Sequence, residues 1–468
     1  MIPSRPNNIV GTPSTRTTSY LDVPESEPAN DTGQALPLSE TTPDVRVVGQ
    51  IGPSDTDMYV LNLTKGDFVG FAANGAGIDS FVTVVKFTGS IPVFAQFDIG
   101  VVSTTLPSDS PFPRISDPGS TLEAAGTFVA PESGAYFVVM QANPLVTYNL
   151  LLTLRRGKFD AATGHQVIFL DFDGATFDAS ALWPGLGNNP AVLSPLSAFL
   201  GNWGLGASDE SAVIDAVLHN VHLAFDPLRD LNPALTLDIR NSRDHADPWG
   251  QENVTRIIVG GTTSELGITA HGIAESIDPG NFNTAETGVV MLDTLSDQVS
   301  PTSLNLLQRA DGVTIIDAIG VGVGNIIAHE AGHLLGNYHT DAQNTTFAIM
   351  DAGTSAGNIN FKQNHYNTGP DGILGNEDDV VSTFVTDDYQ ETIVAEPGSG
   401  EHVEYRTAFA LSGTGCVGDL DDNGFVDGAD LGLFLASWGA VGVTDLDGDG
   451  TTNGADLGLF LAQWGECP

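Results

Sequence analysis

The segment His329-Glu330-Ala331-Gly332-His333-Leu334-Leu335-Gly336-Asn337-Tyr338-His339 constrains this 468-residue chain more than any other feature. On a helix, residues four apart lie one turn above each other on the same face, so His329 and His333 can aim ring nitrogens at one ion. Glu330 then stands beside that point without having to ligate it. Gly336 can take the left-handed conformation that ends a helix and turns the chain, which returns His339 as a third imidazole. Three nitrogens leave a fourth position open, as in a zinc site that does chemistry rather than one closed for structure. A bare H-E-x-x-H pair also arises by chance on surface helices, whereas the extended spacing fixes two further positions. The preceding run, Val313 to Val321, supplies apolar residues suited to a buried segment leading into a core helix.

The length allows several domains, and an apolar fraction of 41% can fill their cores. The net charge of −43 arises from 59 acidic against 16 basic residues, yet charged residues are only 16% of the chain. The acidity therefore reflects scarce Lys and Arg rather than a dense polyelectrolyte. Such a surface repels nucleic acid and anionic lipid and favours cations, calcium in particular. No uninterrupted apolar stretch is long enough to span a bilayer.

Along the chain the expectation is multidomain. Residues 1–25 read as a flexible Pro/Ser/Thr/Asn-rich lead, and 26–156 as an all-β sandwich of short strands such as Met58–Leu63, Phe81–Val85 and Ala135–Met140 between Gly, Pro and Asp turns. Residues 157–412 alternate strands and helices and read as an α+β domain. Its strands are expected at His165–Phe172, Arg256–Val259 and Gly288–Leu292, with a possible edge strand at Gly272–Ser276. A helix is expected over Asp209–Phe225, capped by Ser208 or Asp209, with Ile214, Leu218, Val221 and Phe225 on one face. His219 and His222 on that helix read as surface or core residues rather than a second metal site.

Residues 413–468 form a small all-α module built on an internal repeat. The stretch Asp419–Leu435 recurs as Asp445–Leu461, offset by 26 positions. Oxygen side chains fall at loop positions 1, 3, 5, 9 and 12, namely Asp419, Asp421, Asn423, Asp427 and Asp430, then Asp445, Asp447, Asp449, Asn453 and Asp456. Phe425 and Thr451 stand where a backbone carbonyl is required, and a glycine occupies each position 6. The pattern predicts two bound Ca²⁺. Leu431, Leu433, Phe434 and their counterparts Leu457, Leu459, Phe460 read either as a shared core or, in part, as a docking face. A further acidic stretch, Asp371 to Asp379, reads either as a third calcium loop or as a solvated turn. Cys416 and Cys467 bracket the repeat, and a disulfide between them would close a loop of about 50 residues and contribute roughly 4 kcal/mol.

Together, the long His motif and Phe347-Ala348-Ile349-Met350-Asp351-Ala352-Gly353 resemble the metzincin clan of zinc endopeptidases, whose signature adds a downstream Met-turn. The resemblance implies one catalytic Zn²⁺ on His329, His333 and His339, Glu330 as general base, and Met350 as an apolar floor that does not ligate the metal. It also implies a substrate cleft with the zinc in it and an extended peptide along the edge strand. No tyrosine follows Met350 within two residues, so no fifth ligand is implied. Glu27–Thr32, Asp55–Tyr59 and Ala130–Tyr136 are similar to pieces of the pre-peptidase C-terminal domain, an accessory or processed module of secreted bacterial peptidases. The tandem calcium loops resemble a type I dockerin, which implies a cohesin-like partner and the association of dockerins with polysaccharide breakdown.

The function expected is a secreted zinc metalloendopeptidase acting on extracellular protein or peptide substrates. The N-terminus lacks the apolar core of a signal peptide, so an extracellular or surface location is inferred from the calcium loops and the disulfide. The alternative is a non-catalytic surface adhesion or scaffold protein in which zinc and calcium are structural. Glu330 speaks against it, because a structural site has no use for a carboxylate beside the metal.

Overall fold

The computed structural model describes residues 19–26, 33–39, 41–53, 55–74, 81–86, 92–96, 106–114, 124–141, 145–155, 166–182, 186, 189–232, 235–251, 253–352, 365–389, 400–411, 418, 420, 425–440, 444, 446 and 451–466. Alternation of inward and outward side chains governs the N-terminal part. Its strands are β1 (Leu21–Pro24), β2 (Gln34–Ala35), β3 (Asp44–Ile51), β4 (Asp57–Leu63), β5 (Phe68–Asn74), β6 (Phe81–Lys86), β7 (Pro92–Gln96), β8 (Ala124–Val129), β9 (Gly134–Gln141) and β10 (Val146–Arg155). They form two five-stranded sheets, ordered β1-β3-β10-β5-β8 and β2-β4-β9-β6-β7. Val45, Val47, Tyr59, Leu61, Val138 and Leu150 point inward from alternate positions and build one shared core, the construction of a β-sandwich. The lead expected over residues 1–25 is shorter than that, because β1 pairs in parallel with β3, Leu21 opposite Val45. An edge strand's open backbone groups capture a neighbouring extended segment in this way.

The middle part begins with β11 (Gln166–Asp171) and a hairpin of β12 (Ala175–Phe177) and β13 (Ala191–Leu193), followed by helix α1 (Glu210–Phe225). Strands β14 (Leu237–Asn241), β15 (Val254–Val259), β16 (Gly272–Ala274) and β17 (Thr287–Val290) come next, then helix α2 (Ile315–Leu334) and the short helix α3 (Val403–Ala410). The sheet order is β14-β11-β15-β17-β16, parallel throughout except that β16 runs antiparallel to β17 at the edge. Every residue of β11, β15 and β17 is buried, which is why these strands read as continuous apolar runs rather than alternating ones.

Helix α1 packs along α2 and buries Val213, Ile214, Val217, Val221, Ala224 and Phe225, whereas Leu218 of the expected stripe is only partly buried. Asp209 is its N-cap residue, one of the two expected, but makes no side-chain bond to the helix. Asp209 ends a short 3₁₀ turn and accepts the Gly206 N–H, so its side chain serves that turn rather than α1. The run Val313 to Val321 is not a lead-in but largely the first half of α2. Thr314 caps that helix, and its side chain and that of Asp317 each bond the other's backbone N–H.

Residue 156 is no packing boundary. Phe68, Leu106, Phe112 and Val129 from the N-terminal part join the core around α2, while Tyr338 and Tyr389 enter the sandwich core. In the C-terminal part, helices α4 (Gly428–Ala436) and α5 (Gly454–Leu461) repeat each other, with Phe434 packed against Phe460 at 5.0 Å between ring centroids and 40° between ring planes. Of the residues with an open reading, Phe434 and Phe460 are core, Leu431 and Leu457 flank it, and Leu433 and Leu459 face solvent. Cys416 and Cys467 lie outside the described residues.

Candidate metal centre

Helix α2 carries His329 and His333 one turn apart, both buried, and stops where Gly336 adopts φ +96°. A side chain at Gly336 would be strained in that conformation, and its Cβ would lie 2.3 Å from the Pro279 Cα. With the turn so placed, His339 comes back onto the helix. His333 Nε2 lies 3.1 Å from His329 Nε2 and 3.1 Å from His339 Nε2. Tetrahedral zinc with Zn–N near 2.0–2.1 Å sets its ligands about 3.3 Å apart, so this spacing fits. Among the described residues this triad is the one group of three or more His, Cys, Asp or Glu whose ligand atoms gather within 4.8 Å.

The protons decide what the nitrogens can do. His329 Nδ1 donates to the Ile349 carbonyl and His333 Nδ1 to the Asn337 carbonyl, each at 2.8 Å. With their N–H groups committed there, both rings present bare Nε2 lone pairs to one another. Two lone pairs at 3.1 Å repel unless a cation lies between them, and carbonyl partners of this kind fix the tautomer and orientation of metal-binding imidazoles. Burial, then the neighbouring imidazoles, pushes His333 down to about 3 and His329 well below its usual value. The rings are therefore neutral at physiological pH, the form that ligates a metal.

Glu330 is buried beside the triad, and desolvation alone raises its carboxyl to about 8 when no cation compensates it. Its side chain reaches the edge strand. A Cβ on Gly272 of β16 would sit 2.1 Å from Glu330 Oε1, so the glycine is the clearance that lets the carboxylate lie between helix and edge. Met350 is wholly buried and packs on helix α2 at Gly332, between His329 and His333 in sequence. A Cβ on Gly332 would lie 2.5 Å from its sulfur, and Ile349 just before it supplies the carbonyl for His329.

Residues beyond the motif complete the surroundings. His365 stacks edge-on against His329 with ring centroids 5.5 Å apart, and burial lowers it to about 3. His271, at the start of β16, is hydrogen-bonded to Thr294 Oγ1 at 2.9 Å. Tyr338, between Gly336 and His339, gives its backbone N–H to Glu401, whose carboxylate is paired with Arg406 at 2.6 Å. Apart from Tyr338, which lies inside the motif, none of these lies at a spacing that links it to the His motif in sequence, and no local signal points to them.

The other expected sites stand apart from the triad. The acidic stretch Asp371 to Asp379 bonds its own turns through Asp371 and one oxygen of Asp379, while Asp379 Oδ1 is buried and accepts no hydrogen bond. Asp371 accepts from the Ile373 N–H and the Asn376 amide, and Asp379 from the Gly375 N–H. His219 is exposed and His222 bonds Asp226 at 3.3 Å, both on α1. In the tail, Asp430 accepts from the N–H groups of Leu420 and Asp427, and Asp456 repeats this with Leu446 and Asn453. Asp427 and Asn453 cap α4 and α5. Phe425 forms a two-residue strand with Val426, and Thr451 lies just ahead of Asn453, whereas Asp419, Asp421, Asn423, Asp445, Asp447 and Asp449 fall outside the described residues. No described helix is long and apolar enough to cross a membrane.

Comparison with protein-family models finds no match, and no curated protein matches either. Similar solved structures align with about a quarter of the chain. They include the periplasmic inhibitor of g-type lysozyme PliG from Aeromonas hydrophila, with 14% identity over 29% of this chain and 100% of that one at a TM-score of 0.18. The surface-associated copper-binding protein CorA of Methylomicrobium album BG8 is 14% identical over 26% of this chain and 98% of its own, TM-score 0.20. The pre-peptidase C-terminal domain of a Bacillus anthracis collagenase is 10% identical over 29% and 97%, TM-score 0.17.

Proposed function

We propose that this chain is a zinc-dependent endopeptidase of the metzincin type. The observation that carries the reading is the pair of lone pairs held 3.1 Å apart on His329 and His333, with His339 closing the triad and Glu330 beside it. Zinc held there would polarise a scissile carbonyl. Glu330 takes the proton of the attacking water and passes it to the leaving amine. Among the described residues strand β16 is bonded to β17 on one side only, so its outer edge could take an extended peptide, which would pair with it and lie across the triad. Met350 floors the site, and its apolar contact with the helix keeps the two ligand turns in register.

The test is digestion of an unfolded protein substrate by the whole chain. Internal cleavage is expected, lost on treatment with a zinc chelator and restored by Zn²⁺. Cleavage that continues in metal-stripped protein would sink the proposal.

We further propose that the chain acts outside the cell, with residues 26–156 as a pre-peptidase C-terminal-like module and 413–468 as a dockerin-like module that takes two Ca²⁺ and engages a cohesin-like partner. Support comes from the matched geometry of the repeats and from Leu433, Leu435 and Trp438, whose exposed side chains recur as Leu459, Leu461 and Trp464. Replacing the first ligand of each loop, Asp419→Ala with Asp445→Ala, is expected to remove two equivalents of bound calcium from the full chain. An unchanged stoichiometry would reduce the tail to an acidic linker.

A further inference from the structure

The loop from Glu275 to Glu286 joins the edge strand β16 to β17, and it buries two carboxylates that the zinc chemistry does not use. Asp278 and Glu286 are both fully enclosed, at 0% exposure. One oxygen of each is accounted for: Asp278 Oδ2 accepts from the Asn283 N–H at 2.6 Å, and Glu286 Oε1 from the Ser276 hydroxyl. The other oxygen of each, Asp278 Oδ1 and Glu286 Oε2, is buried and accepts no hydrogen bond.

A third oxygen in the same state is Asn281 Oδ1. Asn281 sits in the left-handed region at φ 53°, and its amide nitrogen donates to Gln166 Oε1 at 3.1 Å. Gln166 in turn gives its own amide to Thr255 Oγ1 and the Thr284 carbonyl, which fixes which end of each amide is oxygen. The Asn281 oxygen is thus the end of the amide that does not face Gln166.

Burying a carboxylate without a partner is costly, and burying two near each other costs more. The charged groups acting on Glu286 are Asp278, Glu275 and Asp109, all acidic, and Asp109 acts on Asp278 as well. Burial accordingly drives both carboxyls upward, Asp278 to about 8. Two carboxylate oxygens and one amide oxygen, buried within a single loop without a hydrogen bond to any of the three, are the donor set of a hard cation and suit neither zinc nor copper.

We propose that the β16–β17 loop is a calcium site formed by Asp278, Asn281 and Glu286, which braces the turn carrying the third imidazole. The brace is direct. The Asp278 N–H donates to the His333 carbonyl at 3.2 Å, and Pro279 fills the space beside Gly336. A cation on Asp278 and Glu286 ties the end of β16 to the start of β17 and holds both against that turn.

The experiment uses the full chain loaded with zinc, in buffer stripped of calcium and then with Ca²⁺ added. It compares the wild type with the double variant Asp278→Asn/Glu286→Gln. Calcium counted by atomic emission after equilibrium dialysis is expected to be one equivalent lower in the variant, whatever the tail binds. In the stripped buffer the variant should melt above the wild type, because the amides are buried without first having to take up a proton. With calcium added, the wild type should gain a few degrees that the variant does not.

Equal calcium counts and equal calcium-induced shifts in the two proteins would overturn the proposal and leave a pair of protonated carboxyls. Should the double variant fail to fold, Asn281→Ala keeps both carboxylates and is expected to weaken binding roughly tenfold, read as the calcium concentration at half-shift. An unchanged half-shift there would also overturn it. These readings do not depend on peptidase activity, so the calcium site and the proposed chemistry fail separately.

Discussion

Replacing Glu330 with glutamine is expected to lower peptide hydrolysis by about 10⁴-fold while zinc content stays at one equivalent. General acid–base catalysis is worth about 10²–10⁴-fold, and a group that both takes and returns the proton falls at the upper end. The amide keeps the shape and loses the proton affinity, and the three imidazoles remain. The pH profile adds a second reading. Burial raises the Glu330 carboxyl to about 8 in the absence of a cation, and a zinc ion bound by the triad would favour the carboxylate. Activity should therefore rise as pH increases through a limb lying below 8, because only the ionised group accepts a proton. Gly272→Ala should act on the same atom from the other side, since its methyl would meet Glu330 Oε1 at 2.1 Å. Turnover should drop without metal loss. A Glu330→Gln protein that kept near-full activity would remove the carboxylate from the mechanism.

The parts of this arrangement that could be read in the sequence are those whose geometry is local. One helical turn separates His329 from His333, and one left-handed glycine returns His339, so three positions in an eleven-residue segment are determined by helix geometry alone. The edge strand expected over Gly272–Ser276 rests on position in the chain only, and Met350 on its place after the motif. What could not be read depends on contacts between distant segments. Gly272 appears as one more glycine until the Glu330 side chain is seen against it. Asp278 and Glu286 look like ordinary loop acids, which are usually solvated, and only burial reveals that two of their oxygens have no partner. The expected boundary at residue 156 follows a change in pattern from strands alone to alternating strands and helices, but pattern says nothing about whether two cores merge. The tail's repeated leucines show the same limit. Periodicity assigns Leu431 and Leu433 to one helix, and packing alone divides them between core and solvent.

Arg406→Met is expected to destabilise the protein by about 3–5 kcal/mol, the cost of stripping one partner from a buried ion pair. Both Arg406 and Glu401 are almost completely enclosed, with Nε to Oε1 at 2.6 Å and Nη2 to Oε2 at 3.1 Å. The guanidinium also donates to the side chain and carbonyl of Thr127 on β8 and to the Tyr389 hydroxyl. One cation thus ties the sandwich, helix α3 and the carboxylate that receives the Tyr338 N–H, next to the third imidazole. Methionine fills much of the same volume and leaves the Glu401 carboxyl, already pushed up to about 7 by burial, enclosed without its cation, so it must be buried charged or take up a proton, and the variant loses stability and holds zinc less tightly. Adding Glu401→Gln should recover part of the loss, because the uncompensated charge rather than the missing contact dominates the cost. Salt should matter little, since the pair is shielded from solvent ions. Urea melts followed by release of zinc to a chromogenic chelator separate the possibilities. If the single variant unfolds at the wild-type midpoint and releases zinc no faster, the sandwich is a passenger on the catalytic part. If the melt splits in two and zinc leaves with the first transition, Arg406 is what joins the N-terminal part to the metal centre.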